Sequence, residues 1–599
     1  MAKRFYHYLR PNQNSESMQN CVCVDCETVD FERPDGITEK RLVFGWAAVT
    51  RRKGNGDWAR PLWKRFDNYL DWWLWLVQQV RPKERLWVWC HNSNFDYPAL
   101  HVFSHPKEIG WVTKMLIIEA PPTLIKLRKD KSTIIMADTL NIWRMGLVEL
   151  GEMIGKPKLE MPAEWNDRER DDAYCRRDVE IILQALTGWC YFLKDEDMGG
   201  FVPTIAGQAM RTFRHKYMTH PILIDAHDDA LALARNAYKG GRVECGFIGH
   251  VQQPVFYLDV NSMYPYVMLK NEFPSKLIAY HRFISKRGVA DLLRSHAVVA
   301  KVGVNTNEPV FPVVHEHKLC FPVGQFECFL SSPELEYGLE RGLITDIHIA
   351  ACYERRPLFK DFVTDLYAKK EQATREGRLL DADHWKLILN CLYGKFGQNG
   401  LKYHLVDQRP HPTKDISVEW DPKTGKYIFY RYFGDFVLSS TKDSEASESH
   451  PAIAAHVCAH ARMVLWALIR QLAPQDYLYC DTDGIYTTQA GFDKLYDPEK
   501  QYAIGGLKLK ATWNDVWIYG AKDCVLDGKR LLKGIRDKAN EIDKGVFQQV
   551  RWYGLAGLAR AGSLDMPLTK TITKTLRRAY GKGSVGPDGF VHPLVFPLS

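Results

Sequence analysis

The sequence has no long hydrophobic run, no internal repeat and no low-complexity tract. The most apolar local run that we identify, residues 72–77, is far shorter than the ~20 residues that a bilayer-crossing helix needs. The N-terminal residues contain no apolar stretch of the kind found in signal peptides. We therefore expect a soluble intracellular protein without a membrane partner.

The paired C-x₂-C…C-x₂-C pattern of zinc ligands is also missing, because no second half accompanies the cysteines at 21–26. The 14 cysteines are dispersed, mostly inside apolar runs such as 457–459, which is typical of reduced thiols. Cys21, Cys23 and Cys26 lie close together, but a zinc site with two C-x₂-C pairs has a different spacing. The pattern argues against a disulfide scaffold and a zinc module, and favours buried thiols.

Neither sign of charge dominates the composition. Of the 599 residues, 80 are Lys or Arg and 72 are Asp or Glu, a formal net charge of +8. This mild basic excess fits a phosphate-rich partner, but it is weak evidence over so large a surface. Hydrophobic residues make up 46% and charged residues 25%, which excludes wholesale disorder. The length predicts about four domains.

Strands and helices alternate over about the first 200 residues. Segments 41–49, Arg85–Cys90 and 133–136 have the length and composition of buried strands. In the segment 172–186, apolar residues recur at i, i+3, i+4 and i+7 and predict a helix with one buried stripe. A polar, glycine-rich turn at 197–200 predicts a domain boundary.

Two later stretches have the character of insertions, namely 305–357, with several prolines, and 399–450, which is polar. The segment 567–582 is basic and contains no acid. It is either a solvated surface or a contact with the phosphates of a nucleic acid, and the sequence leaves both open. Its basic residues are Lys570, Lys574, Arg577, Arg578 and Lys582.

A first group of acids is spread over three segments. On the predicted strand 22–28, Asp25 and Glu27 point to the same side, where they repel each other unless a cation lies between them. For this pair alone, a solvated strand end remains the favoured interpretation. Asp96 begins a loop after the strand Arg85–Cys90, and Tyr174 and Asp178 share a helix face at i and i+4.

These four acids together suggest phosphodiester hydrolysis. Two Mg²⁺ ions ~4 Å apart, held by carboxylates, activate water and stabilise the leaving oxygen in such reactions. The hydroxyl of Tyr174 could orient the attacking water. The predicted ligands are Asp25, Glu27, Asp96 and Asp178.

A second group of acids lies on strands of the later half. Asp259 ends the apolar strand 256–259, while Asp481 and Asp483 lie in a tight turn between the apolar strands of 477–486. Asp at the first position and Gly484 at the fourth predict a type I turn. A plain surface hairpin is the alternative, although the apolar flanks argue for acids at the rim of a buried hairpin.

Between these acids lies a segment with helical spacing. Lys386, Asn390 and Tyr393 form one polar stripe at i, i+4 and i+7, and Gly394 is a natural helix end. A lysine on such a helix can meet a triphosphate, although an ordinary amphipathic helix is favoured for this piece in isolation. Combined with Asp259 and Asp483 holding two Mg²⁺, the pattern predicts nucleotidyl transfer.

The first three segments resemble the DxE, Nx₂₋₃FD and YxxxD motifs of the DnaQ-like 3′–5′ proofreading exonucleases. This resemblance implies an RNase H-like exonuclease domain. It also implies that a lysine aids hydrolysis, Lys158 in our assignment, with Lys156 as the alternative. The residues that would hold a frayed single-stranded 3′ end are Thr28, Asn92, Phe95, Thr139 and Leu140.

The later segments resemble motifs A (DxxSLYP), B (KxxxNSxYG) and C (YxDTDS) of the family B DNA polymerases. Residues 238–242 are similar to the YxGG motif, which points to the protein-primed branch of viral and linear-plasmid replicases. This implies a right-hand polymerase of palm, fingers and thumb with two insertions. Departures from the motifs are Met263 for Leu, Cys391 for Ser, Gly484 for Ser and Cys524 for Tyr.

The resemblance also assigns roles by position. Asp259, Asp483 and Val260 would bind metal, with Asp481 adjacent and supporting. The incoming dNTP would meet Lys386, Asn390, Tyr393 and Tyr264, the last as a steric gate against ribose. Residues that would contact DNA are Tyr238, Gly240, Gly241, Arg462 and Lys522.

We accordingly expect a DNA polymerase with a proofreading exonuclease, using Mg²⁺ or Mn²⁺, two ions per active site. The expected partners are template and primer DNA, dNTPs, a terminal priming protein and a single-stranded DNA-binding protein, with the enzyme acting as a monomer in the cytoplasm of an infected or host cell. The expected domains are the exonuclease at 1–200, linker and palm at 201–304, a first insertion at 305–357, fingers at 358–398, a second insertion at 399–450, palm at 451–520 and thumb at 521–599.

Other functions stay open. The same polymerase could start from a nucleic-acid primer or from none, and the motifs of chemistry do not distinguish these cases. A DNA-binding nuclease with an inactive polymerase half is a further alternative, against which the complete set of A, B and C motifs argues. A non-catalytic genome-packaging protein would leave the ordered acids unexplained.

Overall fold

The computed structural model describes residues 4–119, 121–400, 403–410, 416–422, 425–441 and 445–596. Parts of the predicted second insertion therefore lie outside the described residues. The part of the chain up to residue 217 contains the strands β1 His7–Leu9, β2 Asn20–Glu32, β3 Ile37–Arg51, β4 Leu62–Phe66, β5 Arg85–Cys90, β6 Val112–Ile118, β7 Thr123–Lys129 and β8 Ser132–Asp138. Its α-helices are α1 Tyr69–Gln78, α2 Ser93–Ala99, α3 His105–Glu108, α4 Leu147–Met153, α5 Arg168–Asp195 and α6 Ile205–Thr212.

The middle of the chain contains the strands β9 Ile222–Ile224, β10 Val243–Cys245, β11 Gly249–Val251, β12 Val255–Val260, β13 Phe273–His281, β14 His296–Thr306, β15 Val313–His315, β16 Lys318–Cys320, β17 Val323–Ser331 and β18 Ile344–Arg356. Its helices are α7 Asp228–Ala237, α8 Met263–Lys270, α9 Lys286–Leu293, α10 Ser332–Glu340, α11 Lys360–Arg375 and α12 Leu379–Phe396.

The last third contains the strands β19 His404–Gln408, β20 Ile416–Asp421, β21 Lys426–Phe433, β22 Phe436–Thr441, β23 Tyr477–Asp481, β24 Gly484–Thr487, β25 Leu507–Trp513, β26 Val516–Gly520, β27 Asp523–Leu526, β28 Lys529–Leu531, β29 Asn540–Asp543, β30 Val546–Trp552, β31 Leu568–Thr575, β32 Gly583–Val585, β33 Val591–Pro593 and β34 Val595–Phe596. Its helices are α13 Pro451–Ile469, α14 Gln489–Leu495 and α15 Leu555–Arg560.

The N-terminal part is built on a mixed sheet. Strand β2 pairs in parallel with β5 and antiparallel with β3, and β5 pairs in parallel with β8. Four strands therefore lie side by side in the order β3-β2-β5-β8, with α5 packed on β2 and β3. The apolar stripe of α5 lies in the core, where Val179, Ile182 and Leu186 are fully buried. As a result, the face of α5 beside this stripe, which carries Tyr174 and Asp178, is turned towards β2.

The same sheet continues into the C-terminal region. Strand β31 pairs with β3, so that the order is β29-β30-β31-β3-β2-β5-β8-β7-β6, with β4 also paired to β3. The C-terminal hairpin of β30 and β31 is thus hydrogen-bonded to the N-terminal sheet. Nothing in the sequence pattern predicts this pairing, because its two partners are more than 500 residues apart.

A second sheet carries the later acids. Five antiparallel strands lie in the order β10-β23-β24-β12-β25, which brings the strand of Asp259 next to the hairpin of Asp483. Apolar side chains such as Leu258, Cys480 and Ile485 are fully buried behind it, in contact with α13. The two acids therefore lie at one edge of a well-packed sheet.

A third sheet has the order β13-β18-β14-β17-β34 and spans Phe273–His281 to Ile344–Arg356 along the chain, with one strand from the C-terminus. The insertion boundary that we predict at residue 305 falls inside β14, and the predicted domain limits stay predictions. The polar stretch 399–450 contributes a separate sheet in the order β19-β22-β21-β20.

One helix is more apolar than the sequence reading anticipates. Helix α13, with a mean hydropathy of 1.6, is long and apolar enough to cross a membrane by length and composition. It is mostly buried within the protein, as a core helix of a soluble protein is, with Ile453, Val457 and Leu465 fully buried. The expectation that the chain has no long apolar segment is therefore corrected. Helix α13 does not show as an unbroken apolar run in the sequence because small and polar residues interrupt it.

Helix α12 ends three residues later than predicted. Gly394 lies inside the helix and the C-terminal cap is Gly397, whose N–H is bonded to the carbonyls of Lys395 and Tyr393. A Cβ on Gly397 would fall 2.5 Å from the ring of Tyr238. Close packing against that ring, rather than backbone conformation, explains glycine at this helix end.

Candidate metal centres

The first group of acids comes together as predicted by the spacing. Asp25 and Glu27 share a face of β2, Asp96 lies in the first turn of α2 directly after β5, and Asp178 lies on the face of α5 that is turned to β2. Asp25 interacts electrostatically with Asp178 and with Asp96, and Glu27 does so with Asp25. The three elements therefore form one cluster of carboxyl groups.

The protein alone does not balance the charge of this cluster. Burial, followed by repulsion from neighbouring acids, raises the pKa of Asp25 to about 8 and that of Glu27 to about 10. Among the described residues, Oδ1 of Asp96 and Oδ1 of Asp178 are buried without a hydrogen-bond partner. Buried carboxylate oxygens without donors are the ligands that a hard divalent cation prefers, so the residues fit Mg²⁺ or Mn²⁺.

The structure distinguishes the two candidate lysines. Nζ of Lys158 donates to Oδ2 of Asp178 and lies 4.4 Å from the ring centroid of Tyr174. Lys156 instead pairs with Glu180 at 3.0 Å, two residues further along α5. Burial raises the pKa of Tyr174 to about 12, so its hydroxyl stays protonated at neutral pH. Lys158 is therefore the lysine that belongs to this cluster.

The cluster also contains a thiol, that of Cys175, which the sequence motifs do not include. The Sγ of Cys175 lies 3.5 Å from Oδ2 of Asp25 and is fully buried. One ligand atom from each of Asp25, Glu27 and Cys175 lies within 4.8 Å of the others. Cys175 directly follows Tyr174 in the sequence, and this position is the signal that could have indicated its place at the cluster.

Four of the five residues predicted to hold a DNA strand lie at the surface beside the cluster. Thr28, Phe95 and Leu140 are partly exposed, and Asn92 is exposed with a left-handed backbone (φ 77). Thr139 is fully buried, and its hydroxyl is bonded to Cys90 O at 3.1 Å and to His91 Nδ1 at 2.8 Å. The hydroxyl of Thr139 thus holds the loop from within, and the contact of Thr139 with the DNA strand stays a prediction.

The C-terminal hairpin adds residues that the sequence motifs do not include. Trp552, at the end of β30, packs edge-on against Phe95 with ring centroids 5.7 Å apart. Oδ1 of Asn94 accepts the N–H of Leu555 at 3.2 Å, and Nζ of Lys40 lies 5.3 Å from the Trp552 ring. An aromatic and basic surface therefore extends from the first cluster onto the C-terminal hairpin.

The second group of acids meets on neighbouring strands. Asp259 is paired with Gly484 across β12 and β24, and the N–H of Val260 donates to the carbonyl of Asp483 at 2.8 Å. The side chain of Val260 is buried, so only its backbone carbonyl could serve as the predicted metal ligand. Asp259 and Asp483 are thus neighbours, although they are 224 residues apart in the sequence.

The turn that carries Asp483 differs from the predicted type I. Thr482 has φ 62, and the N–H of Asp483 donates to the carbonyl of Asp481 at 2.7 Å, an i→i+2 bond that is typical of a γ-turn centred on Thr482. The N–H of Thr482 is held by the carbonyl of Arg242 at 2.7 Å.

Electrostatics at the second group also favour a cation. Burial, followed by repulsion from Asp259, raises the pKa of Asp483 to about 6. Nζ of Lys510 lies 3.3 Å from Oδ2 of Asp259 and was not predicted. The carboxyl group of Asp481 has two partners of its own. Its Oδ2 accepts a hydrogen bond from Tyr479 Oη at 3.1 Å and lies 3.4 Å from Nζ of Lys522. Asp259 and Asp483 supply the carboxylate donor set that a hard cation needs, with Asp481 beside them.

The predicted nucleotide-binding residues lie beside these acids. Tyr264, in the first turn of α8, stacks on Tyr393 of α12 with centroids 4.8 Å apart and planes 2° from parallel. Lys386 and Asn390 are exposed on α12, on the same stripe as Tyr393. A Cβ on Gly241 would fall 3.1 Å from Tyr264 Oη and 2.8 Å from Thr482 Cγ2, which explains the absence of a side chain there.

Arg462 is not a surface residue. It is 2% exposed and donates to Oε1 of the fully buried Glu334 at 2.7 and 3.0 Å. It also donates to the carbonyls of Lys239 and Gly240 at 2.8 and 3.0 Å. Arg462 therefore holds the backbone of the segment 238–242 in place through two of these contacts, and its contact with DNA stays a prediction.

The comparisons with known proteins agree with the motifs. A sequence model described as "DNA polymerase type B, organellar and viral" matches residues 156–419. The DNA-directed DNA polymerase of Enterobacteria phage PRD1 is 27% identical over 331 residues, 53% of this chain and 54% of that protein. The resemblance to the family B DNA polymerases is confirmed. The Escherichia coli "Primer-independent DNA polymerase PolB" is 24% identical over 424 residues, 61% of this chain and 45% of that protein.

The fold is that of phi29 DNA polymerase. Its ternary complex with primer-template DNA and incoming nucleotides matches with a TM-score of 0.65 at 17% identity, covering 94% of this chain and 100% of that chain. The binary complex with primer-template DNA matches with a TM-score of 0.64. The predicted fold class is therefore confirmed, while this chain spans only about half the length of the curated relatives it matches, such as the 54% of the PRD1 protein.

Proposed function

We propose that this chain is a template-directed DNA polymerase with a 3′–5′ proofreading exonuclease. The observation that carries the proposal is the separation of the acids into two clusters on two different sheets, each with carboxyl groups that the protein alone leaves uncompensated. The likeness to type B polymerases and to the phi29 fold supports the same conclusion. The domain limits that we predict for palm, fingers and thumb are part of this proposal.

For synthesis, Asp259 and Asp483 would hold divalent cations. Such ions lower the pKa of a primer hydroxyl and neutralise the charge of a departing pyrophosphate. The stacked pair of Tyr264 and Tyr393 forms a flat wall where the sugar and base of an incoming dNTP would lie, and the ring of Tyr264 would exclude a 2′-hydroxyl. Lys386 would supply positive charge to the triphosphate.

For degradation, Asp25, Glu27, Asp96 and Asp178 would hold the cations. Lys158 keeps Asp178 in place through its hydrogen bond and screens the negative charge of the cluster. Tyr174 keeps its proton at neutral pH, so its hydroxyl can donate to the attacking water and orient it, but it cannot act as the base. Thr28, Asn92, Phe95 and Leu140 would hold the frayed 3′ end at the surface beside the cluster.

The two activities can be separated by substitution in the full-length chain. Asp259→Ala or Asp483→Ala should abolish extension of a primed template with Mg²⁺ and dNTPs, and should leave degradation of a 3′-labelled single strand unchanged. Asp25→Ala or Asp178→Ala should do the reverse. Asp493→Ala, which removes an exposed acid on α14 outside both clusters, is the matched control. Extension by Asp483→Ala at the parental rate would show that the assignment of the synthetic site is wrong.

We propose further that synthesis starts on the hydroxyl of a terminal protein and proceeds with strand displacement. The support is the YxGG-like segment 238–242, packed between Tyr264 and Thr482, and the two separate sheets in the regions of the predicted insertions. The likeness to a polymerase named as primer-independent favours a second candidate, in which synthesis starts without a primer. The test is to incubate this chain with labelled dNTP, Mg²⁺ and a small basic protein encoded next to it. Covalent labelling of that protein would support the first candidate, which is priming by a terminal protein. Unprimed products on naked template would favour the second.

A further inference from the structure

The turn of the second cluster contains a feature that neither the motifs nor the proposed activity explains. Gly484 stands where the family motif has serine, and an added Cβ there would fall 2.3 Å from Cε2 and 2.8 Å from Oη of Tyr257. The ring of Tyr257 therefore fills the volume above Gly484. Gly484 does not have a positive φ, so this close approach, and not backbone freedom, requires glycine here.

Tyr257 lies on the same face of β12 as Asp259, two residues before it, and its hydroxyl is close enough to that carboxyl group for the two to interact electrostatically. The ring is fixed in a stack of three aromatic side chains. It lies 4.7 Å from the centroid of Tyr486, which lies 5.4 Å from that of Trp513. A hydroxyl on a rigid ring is thus presented to one of the two acids of the cluster.

We propose that Tyr257 is a positioning residue of the second metal centre, which occupies the volume left open by Gly484 and orients the Asp259 carboxylate for a divalent cation. The inference rests on the proposed polymerase function. A phenol adds no charge, so it can donate to one carboxylate oxygen while the other binds metal. Lys510, at 3.3 Å from Oδ2, is a cation and has to give way when a metal ion arrives.

Such partners outside the metal ligands themselves fix ligand orientation, and their removal typically costs about 10-fold or more in metal affinity or activity. Tyr257→Phe keeps the ring and the stack and removes only the hydroxyl. We expect it to weaken cation binding at the second cluster by about 10-fold. Tyr486→Phe removes a hydroxyl from the same stack and is the matched control, with binding unchanged.

The direct readout is Mn²⁺ binding followed by electron paramagnetic resonance. The background variant Asp25→Ala with Asp178→Ala disables the first cluster, so that the remaining binding belongs to the second. If Mn²⁺ binds and binding is lost in Asp483→Ala, the second centre exists. Equal affinity in Tyr257→Phe and its parent then overturns the inference alone. If no binding depends on Asp259 and Asp483, the proposed function fails, and the inference with it.

A second pair of variants tests the shared volume. Gly484→Ser alone collides with the Tyr257 ring, and we expect primer extension to fall by about 10-fold or more. Gly484→Ser should also lower the temperature of thermal unfolding. Adding Tyr257→Val opens the volume and should restore that temperature, while extension stays low because the hydroxyl is gone. Equal extension by Gly484→Ser and the parent protein, or an unfolding temperature that the second substitution does not raise, contradicts the assigned packing.

Discussion

Asp25 and Glu27 lie two residues apart on one face of β2, and burial with mutual repulsion raises their pKa to about 8 and about 10. Both values lie above those of an unfolded chain, which are about 4. At these two groups the folded protein without metal therefore binds more protons than the unfolded chain between about pH 4 and pH 8, and their contribution to the free energy of unfolding falls as the pH rises through that window.

We accordingly expect the melting temperature of the parent in EDTA, measured relative to that of Asp25→Asn, to fall from pH 5 to pH 8, and Mg²⁺ to reverse part of that fall. Divalent cations bind the ionised carboxylates and so favour the folded state increasingly as the pH rises. Asp25→Asn removes one of the two titrating groups and should make the pH dependence in EDTA weaker. A melting temperature that rises between pH 5 and pH 8 in EDTA, with no difference between Asp25→Asn and the parent, would contradict these assignments.

Arg462 provides a second test at the residue scale. Arg462→Ala would leave Glu334 as a buried carboxylate without its cation, a change that costs about 3–5 kcal/mol. We expect a clear fall in the urea midpoint of unfolding. Arg470→Ala, at the exposed C-terminal cap of α13, is the control with little effect. If Arg462→Ala is as stable as the parent but binds DNA more weakly, the DNA contact that the sequence motif assigns to Arg462 is supported instead.

At the scale of elements, the basic segment that includes β31 divides into two kinds of residue. Arg578 lies 3.4 Å from the ring centroid of Tyr519 and is bonded to Asp523, and Lys582 donates to the carbonyl of Val243 at 2.7 Å. Lys570 and Arg577 are exposed. Part of the segment therefore makes internal contacts, which neither interpretation predicts, while Lys570 and Arg577 form a surface that is available to phosphates.

Lys570→Ala should weaken binding of primer-template DNA about equally for all sequences. If Lys570 contacts one phosphate, the slope of log affinity against log salt should decrease in magnitude by about 0.9. Lys570→Arg retains the charge and should keep the slope. An unchanged slope in Lys570→Ala, measured by fluorescence anisotropy over a salt series, would place the DNA elsewhere.

Elements also show what the sequence can predict. The strands near 41–49, 85–90 and 133–136 and the helix at 172–186 are visible because period two and period 3.6 are local signals. The end of α12 and the turn at Thr482 are predicted less well, since both depend on contacts with Tyr238 and Arg242 that are distant in sequence. Burial of Thr139 and Arg462 is likewise a property of packing, which a motif does not contain.

For the whole molecule, the ordered motifs are sufficient to assign the acids to two groups. They do not predict that the C-terminal hairpin joins the N-terminal sheet, because strand pairing over such a distance has no local signature. That pairing brings Trp552 to Phe95 and makes the C-terminus part of the surroundings of the first cluster. The central claim is that the fold assembles two separate divalent-cation centres from acids that are far apart in the sequence.

Anomalous diffraction from crystals of the full chain, grown with Mn²⁺, primer-template DNA and a non-hydrolysable dNTP, tests this claim most directly. If both cation centres exist, we expect Mn²⁺ peaks at two places. One should lie between Asp259 and Asp483, and the other among Asp25, Glu27, Asp96 and Asp178. Loss of the first peak in Asp483→Ala and of the second in Asp25→Ala should follow. Manganese at neither place, or a single site unaffected by both substitutions, would contradict it.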